Sequence, residues 1–302
     1  MKSVLVTGAT GFIGRHCLPF LLQENFEVHA AFSHSKPLDL NGIYWHQSNL
    51  LERGQPEYII KKISPTHLLH LAWIATPGVY SNSLSNLDWV RSSLELLQAF
   101  AATGGQRVVM AGTCFEYDWE YGYCREHKTA LKPSTIYGIC KHAVQLILQK
   151  YSDKTGLSSA WGRIFFLYGP HEHPDRLVSS VIRSLLKNEE ALCTSGTQIR
   201  DFMHVADVGK AFVELLLSDI NGPVNIASGN PVAIKDIINC VAEKLKKQDL
   251  VKLGAKVTRY EEPHFLIADV SRLYDELNFY PQYNINSGLD NVIEWWKKHL
   301  DL

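Results

Sequence analysis

No apolar run in the 302-residue chain approaches the ~18 residues needed to cross a bilayer, so a membrane-spanning helix is excluded. Neither sign of charge is in surplus, because 30 Lys and Arg against 31 Asp and Glu leave a formal net charge of −1. Sequence-independent binding to nucleic acid therefore has no electrostatic basis, although a local patch can still hold a phosphate. The six cysteines (Cys17, Cys114, Cys124, Cys140, Cys193 and Cys240) lie far apart and form no C-x-x-C pair. A chain of this length buries its own core, so free thiols in a reducing compartment are expected. The opening Met-Lys-Ser-Val-Leu-Val-Thr-Gly lacks the longer apolar stretch of a signal peptide, which predicts a soluble, cytoplasmic protein. Repeats, low-complexity tracts and flexible linkers are missing too. What remains is ordinary globular composition, 46% hydrophobic and 20% charged, in a length that suits two domains or one large one.

The first half alternates short β-rich runs with helical patterns. Strands are predicted at Ser3–Thr7, Glu27–Phe32, Ile43–Gln47, His67–Ala72, Arg107–Ala111 and Ser158–Leu167, with helices near 12–24, 53–62, 83–103 and 134–155. Strands apolar on both faces and separated by helices indicate a parallel sheet covered on both sides, an α/β doubly wound fold. After Gly169-Pro170 shorter elements follow, with helices near 175–187, 206–218, 233–247 and 286–299. The expected division is a domain over 1–169 and a smaller α+β lobe over 170–302. A return to the large sheet is expected within 206–228, through Val224–Ala227. A cleft between the lobes is the default ligand site.

The first strand runs directly into Thr7-Gly8-Ala9-Thr10-Gly11-Phe12-Ile13-Gly14. Gly8 permits a tight turn, Gly11 lets backbone N–H groups approach a pyrophosphate, and Gly14 lets the following helix lie close to the strand. The helix N-terminus adds a positive dipole and free donors. The strand–loop–helix setting makes this a dinucleotide site of the Rossmann type. Enzymes that use NAD place Asp or Glu after the second strand to accept from a ribose hydroxyl. Here the chain reads Phe32-Ser33-His34-Ser35-Lys36, with no carboxylate before Asp39. Ser33, Ser35 and Lys36, with Arg15, suit a 2′-phosphate instead, which favours NADP(H) and leaves NAD(H) open.

Tyr137-Gly138-Ile139-Cys140-Lys141 opens a predicted helix. Four residues make about one helical turn, so the phenol and ammonium stack on one face. A phenol with a pKa of ~10 is a poor acid–base group at neutral pH, and a neighbouring cation brings it into range. Thr113 ends the apolar strand at the carboxyl edge of the sheet, where ligands of such folds bind. Its hydroxyl can donate to the carbonyl oxygen that Tyr137 protonates.

These residues resemble the extended short-chain dehydrogenase/reductase family, its NAD-dependent epimerase/dehydratase group that acts on nucleotide sugars. The likeness covers nearly the whole chain. T-G-A-T-G-F-I-G is similar to the family's phosphate loop, Asn49-Leu50 to its adenine-contacting Asp-Leu/Ile, and His70-Leu71-Ala72 to its H-L-A-A. Thr113 precedes Tyr117 as the catalytic Ser/Thr precedes the tyrosine of S-x-x-V-Y. Arg163-Ile164-Phe165-Phe166-Leu167-Tyr168-Gly169-Pro170 resembles R-x-F-N-x-Y-G-P, the segment from Arg200 through Val208 resembles R-D-F-V-Y-V-D-D-V, and Asn225-Ile226-Ala227-Ser228-Gly229 resembles N-I-G-S-G. The resemblance implies that Thr113, Tyr137 and Lys141 are catalytic. It implies a cofactor held by Gly8, Thr10, Gly11, Phe12, Ile13, Asn49, Leu50, Leu71, Ala72, Trp73, Tyr137 and Lys141. It also implies that Arg176 and Arg200 hold the substrate's nucleotide and diphosphate beside Thr113, Phe115 and Phe166. By the same analogy, helices near 83–103 and 134–155 pair with their copies in a homodimer.

Departures from the family pattern narrow the chemistry. Dehydratases carry Asp-Glu just after the catalytic Thr, where this chain has Cys114 and Phe115; bifunctional epimerase-reductases carry a Cys and a His where it has Phe115 and Ser180. What survives needs only Thr, Tyr, Lys and a hydride. The favoured reading is NADPH-dependent reduction of the C4 ketone of a nucleotide-linked 4-keto-6-deoxysugar. The alternatives are an NAD-dependent nucleotide-sugar 4-epimerase and a reductase of a non-sugar carbonyl. Phe166 replaces an asparagine that often meets substrate, and Arg272 is the candidate for a missing diphosphate clamp. Trp119 and Tyr123 are candidate sugar contacts. His171-Glu172-His173 is followed by Pro174 and has no partner cluster elsewhere, and since zinc needs three or four converging ligands no metal is expected.

Overall fold

The computed structural model describes residues 2–34, 40–257 and 263–300. Its larger sheet is seven-stranded and parallel, in the order β11-β7-β5-β4-β1-β2-β3. The strands are β1 (Ser3–Thr7), β2 (Glu27–Phe32), β3 (Ile43–Gln47), β4 (His67–His70), β5 (Arg107–Thr113), β7 (Ser158–Ile164) and β11 (Gly222–Ile226). Residues alternate faces along each strand, and here both faces are covered. Val4, Val6, Val109 and Ala111 join one core with α1 (Gly14–Gln23) and α6 (Val205–Leu217). Leu5, Leu68, Val108 and Met110 join the other with α2 (Gln55–Ile63), α3 (Ser85–Ala102) and α4 (Ile136–Thr155). The strand order reverses between β1 and β4, so a crevice opens at their carboxyl ends, where the glycine loop and Thr113 lie.

A second sheet takes strands from both halves of the chain: β6 (Tyr123–Cys124), β8 (Phe166–Tyr168), β10 (Ile199–His204), β12 (Pro231–Ala233) and β14 (Phe265–Ala268). Around it pack α5 (Leu177–Leu186), α7 (Ile234–Leu245) and α8 (Ile285–His299) in a separate core with Tyr168 and Trp296. A short parallel pair, β9 (Ala191–Leu192) with β13 (Val251–Lys252), completes the lobe.

Two expected strands are corrected. Ser158–Leu167 is not continuous: it breaks at Phe165, whose amide bonds Ile226 O at 3.2 Å, and the chain then leaves the large sheet for the small one. The apolar run Ile164-Phe165-Phe166-Leu167 continues across the break, so the sequence does not reveal this change of partner. The strand expected over His67–Ala72 stops at His70, because Gly8 crosses so close to Leu71 and Ala72 that the backbone turns into the crevice there. The return strand does rejoin the large sheet, beside β7.

Candidate active site

The glycine loop is shaped by close approach. Gly8 has φ of +69°, and a Cβ on Gly14 would stand 2.1 Å from Gly8 O, so only glycine lets α1 begin directly against the turn. The Gly11 amide is spent on Gly8 O at 2.9 Å. The amides of Phe12 and Ile13 donate to nothing among the described residues, and Ile13 gives α1 no side-chain cap. Those unspent donors at the positive end of a helix fit an anionic pyrophosphate. Arg15 folds back onto Thr10 O at 2.8 Å and Gly11 O at 3.3 Å. Of the residues read as meeting the ribose, Ser33 bonds the His34 ring at 2.8 Å, while Ser35 and Lys36 lie outside the described residues. Asn49 spends its amide on Glu52 and Leu51 in a local turn, and Leu50 is buried in the core beneath.

Thr113 is the last residue of β5 and also caps the short 3₁₀ turn that follows. Its hydroxyl accepts from Phe115 N at 3.3 Å, and Glu116 accepts from Thr113 N at 2.8 Å, forming a reciprocal capping box. The same hydroxyl also interacts with the Tyr137 phenol and draws it down against the effect of burial. Tyr137 reaches it because Gly138 brings the first turn of α4 against the backbone of Phe115, where a Cβ would lie 2.5 Å from Phe115 O. Thr135 caps that helix by accepting from Gly138 N at 3.1 Å.

Lys141 corrects one expectation. Its ammonium donates to Ala111 O at 2.9 Å and lies 3.8 Å from the centre of the Trp73 ring. In a dry pocket an ammonium goes to the nearest acceptor, and here that is the strand-end carbonyl. Burial brings Lys141 down to about 7, opposed by the charge of Glu116. Burial raises the Tyr137 phenol, and the hydrogen bond from Thr113 opposes that rise.

Rings surround it. Tyr80 meets Tyr137 edge-on at 4.9 Å, Phe115 at 5.9 Å, and Trp119 packs on Phe115 at 4.8 Å. From the small lobe Arg176 reaches across to Ala75 O at 3.3 Å and lies 5.2 Å from the Tyr80 ring. Arg200 bonds Ile199 O and His264 O, stands 5.4 Å from the Phe166 ring, and its charge acts on Cys114. Phe115 and Tyr137 thus come together with Tyr80, over which Arg176 reaches, while Arg200 stands against Phe166. Arg272 is not the diphosphate clamp: its guanidinium is taken by Glu276, Asn221 O and Pro223 O. Tyr123 is occupied by Asp269 at 3.1 Å, and Trp119 donates to Cys114 O at 3.1 Å. No group of ligands suited to a metal occurs among the described residues.

Sequence reasoning missed Tyr80, Glu116 and Arg163. Glu116 and Arg163 are fully buried and paired at 2.7 Å, with Trp161 donating to the same carboxylate at 2.9 Å and Arg163 to Tyr117 at 3.1 Å. Thr113-Cys114-Phe115-Glu116 carries the T-x-x-E signature that would have found Glu116. Nothing local marks Tyr80.

A crevice-lining glycine loop on a Rossmann sheet, facing a Thr–Tyr pair at its carboxyl edge, defines a dinucleotide-dependent oxidoreductase of the short-chain dehydrogenase/reductase type. Residues 4–227 match the NAD dependent epimerase/dehydratase family, and the chain belongs to it. It is 27% identical over 330 residues to a UDP-glucuronate 4-epimerase of Thermodesulfobacterium geofontis, covering 100% of this chain and 98% of that protein. It is 26% identical over 244 residues to a dTDP-6-deoxy-L-talose 4-dehydrogenase (NAD(+)) of Aggregatibacter actinomycetemcomitans, covering 78% of this chain and 88% of that one. Among solved structures, MoeE5 in complex with UDP-glucose and NAD superposes with a TM-score of 0.85 at 28% identity, covering 99% of this chain and 100% of that one. No helix among the described residues is long and apolar enough to cross a membrane.

Proposed function

We propose that the protein is an NAD-dependent nucleotide-sugar 4-epimerase. The observation that carries this reading is the hydrogen-bonded Thr113–Tyr137 pair, seated at the carboxyl edge of a chain that matches a UDP-glucuronate 4-epimerase from end to end. The amides of Phe12 and Ile13 would hold the pyrophosphate, with Trp73 and Lys141 bordering the nicotinamide end. A bound nicotinamide dinucleotide supplies the hydride acceptor and donor. Tyr137 takes the proton of the sugar's C4 hydroxyl and returns it, while Thr113 donates to the same oxygen and fixes it. Epimerisation requires both faces of the sugar to be presented to one site. The walls of Phe115, Trp119 and Tyr80 make no directional bonds with a ring and leave it free to turn. Arg176 and Arg200 supply guanidinium groups suited to phosphate oxygens.

A second reading is the one the sequence favoured, reduction of a nucleotide-linked 4-ketosugar. The similarity to a 4-dehydrogenase of a dTDP-6-deoxysugar favours it, as does the lack of a carboxylate after β2 for NAD. One preparation separates the two. An epimerase releases stoichiometric NAD on denaturation and interconverts the C4 epimers of UDP-glucuronate or UDP-glucose, read by NMR, without added cofactor. A protein that comes empty and consumes added NADPH with a 4-ketosugar nucleotide overturns the epimerase reading.

A homodimer is part of the proposal. Leu87 on α3 and Ile139, Leu146 and Ile147 on the neighbouring α4 are exposed, and a second copy of the same pair of helices would cover them.

A further inference from the structure

The segment between β8 and α5 carries a buried carboxylate that the reaction does not use. Glu172 accepts from the Ser179 hydroxyl at 2.8 Å and from Ser179 N at 3.3 Å, in the first turn of α5. The Trp296 indole donates to that same hydroxyl at 3.2 Å, so α8 fixes the arrangement from behind. The residue at the start of α5 is Arg176, and it makes no side-chain cap of its own. Glu172 supplies the cap instead. The Arg176 side chain is thereby left to extend over the cleft to Ala75 O and the Tyr80 ring, which stands against Tyr137.

We propose that Glu172 is a positioning residue, whose carboxylate caps α5 and thereby fixes the course of Arg176 across the cleft, so that affinity for the nucleotide sugar depends on its ionisation. The inference rests on the reading that Arg176 meets an anionic group of the substrate. Glu172 faces the N-terminus of α5, where a negative charge is favoured and an uncharged group leaves amide donors poorly satisfied. The charge acting on it is that of Arg176. Of the titratable groups on the elements packed nearby, Arg183 of α5 lies 5.2 Å from the Trp296 ring, His173 and Asp175 of the connecting segment face each other, His16 of α1 bonds Pro170 O, and His299 of α8 stacks on Trp295. Burial lifts Glu172 to about 7, against the Ser179 bonds and Arg176. The carboxylate therefore takes up its proton as the pH falls through neutrality, and the cap loosens on the acid side.

The test is calorimetric titration of the intact protein with UDP-glucose and dTDP-glucose between pH 6 and 8, where neither diphosphate titrates. Wild-type affinity is expected to fall several-fold from pH 8 to pH 6. Glu172→Gln should hold the weak, acid-side affinity at every pH, and Glu172→Gln with Arg176→Ala should bind no more weakly than Arg176→Ala alone. Ser179→Ala, which removes a bond that favours the carboxylate, should move the midpoint of the wild-type profile to higher pH. A Glu172→Gln protein that keeps the wild-type profile, losses that multiply in the double variant, or an unmoved midpoint in Ser179→Ala would overturn the inference. A wild-type protein that binds neither sugar nucleotide would instead remove the nucleotide-sugar reading, and this inference with it.

Discussion

Tyr137 stands at the end of a chain of small constraints. Glu116 fixes Thr113 through its backbone, Phe115 occupies a lone pair of the threonine hydroxyl, and that hydroxyl bonds the phenol. Each group is satisfied by its neighbour, which is what a site needs if the substrate oxygen is to meet two donors in fixed positions. Tyr137→Phe is expected to lower turnover by about 100- to 10,000-fold, the range of a lost general acid, while leaving cofactor affinity nearly unchanged. Steady-state rates beside a cofactor titration check both halves. Glu116→Gln should destabilise the protein by about 3–5 kcal/mol in chemical denaturation, because Arg163 then stays buried beside an uncharged partner. A loss below about 1 kcal/mol would show that water or a shifted Tyr117 takes over.

At the scale of elements, the site depends on two helices that start where strands end. The first turn of α1 lies against Gly8, and that of α4 against Phe115, and in both places glycine allows the contact. Gly14→Ala should force the helix off the turn, costing about 1–3 kcal/mol of stability and most of the cofactor affinity. Thermal denaturation with and without NAD measures the two together, and a variant that NAD stabilises as strongly as the wild type contradicts the account. The helices and strands were legible in the sequence because period and punctuation are local. The register change at Phe165 was not, because Phe166 and Phe165 are equally apolar and only the small sheet distinguishes them. Glu116 was legible in principle through its capping spacing, whereas Arg163, fully buried and paired, reads in the sequence as one more charged residue.

Across the whole molecule, buried histidines set the acid limit. Burial pushes His70 down to about 3, between Thr7 and Ser93, and His67 and His204 down to about 4. A histidine in the unfolded chain takes its proton near ~6.5, so below that pH the unfolded state binds more protons than the folded one. Stability is therefore expected to be full above ~6.5 and to fall as the pH drops toward 4. Denaturant midpoints at pH 7, 6 and 5 check this, and His70→Gln should give a shallower slope. A flat profile from pH 7 to 5 would contradict it. The proposed dimer is tested at the same scale: light scattering should show a dimer for the wild type and a monomer for Leu87→Glu with Ile147→Glu.

The sequence alone determined the layered parallel sheet and the strand–glycine turn–helix form of the dinucleotide loop, because periodicity and glycine spacing are properties of neighbours along the chain. Tertiary structure decided where the charges go. Lys141 turns to Ala111 and Trp73, Arg272 is drawn to Glu276, and Arg176 is left to cross the cleft, because a buried or half-buried cation settles on whichever acceptor folding brings within reach.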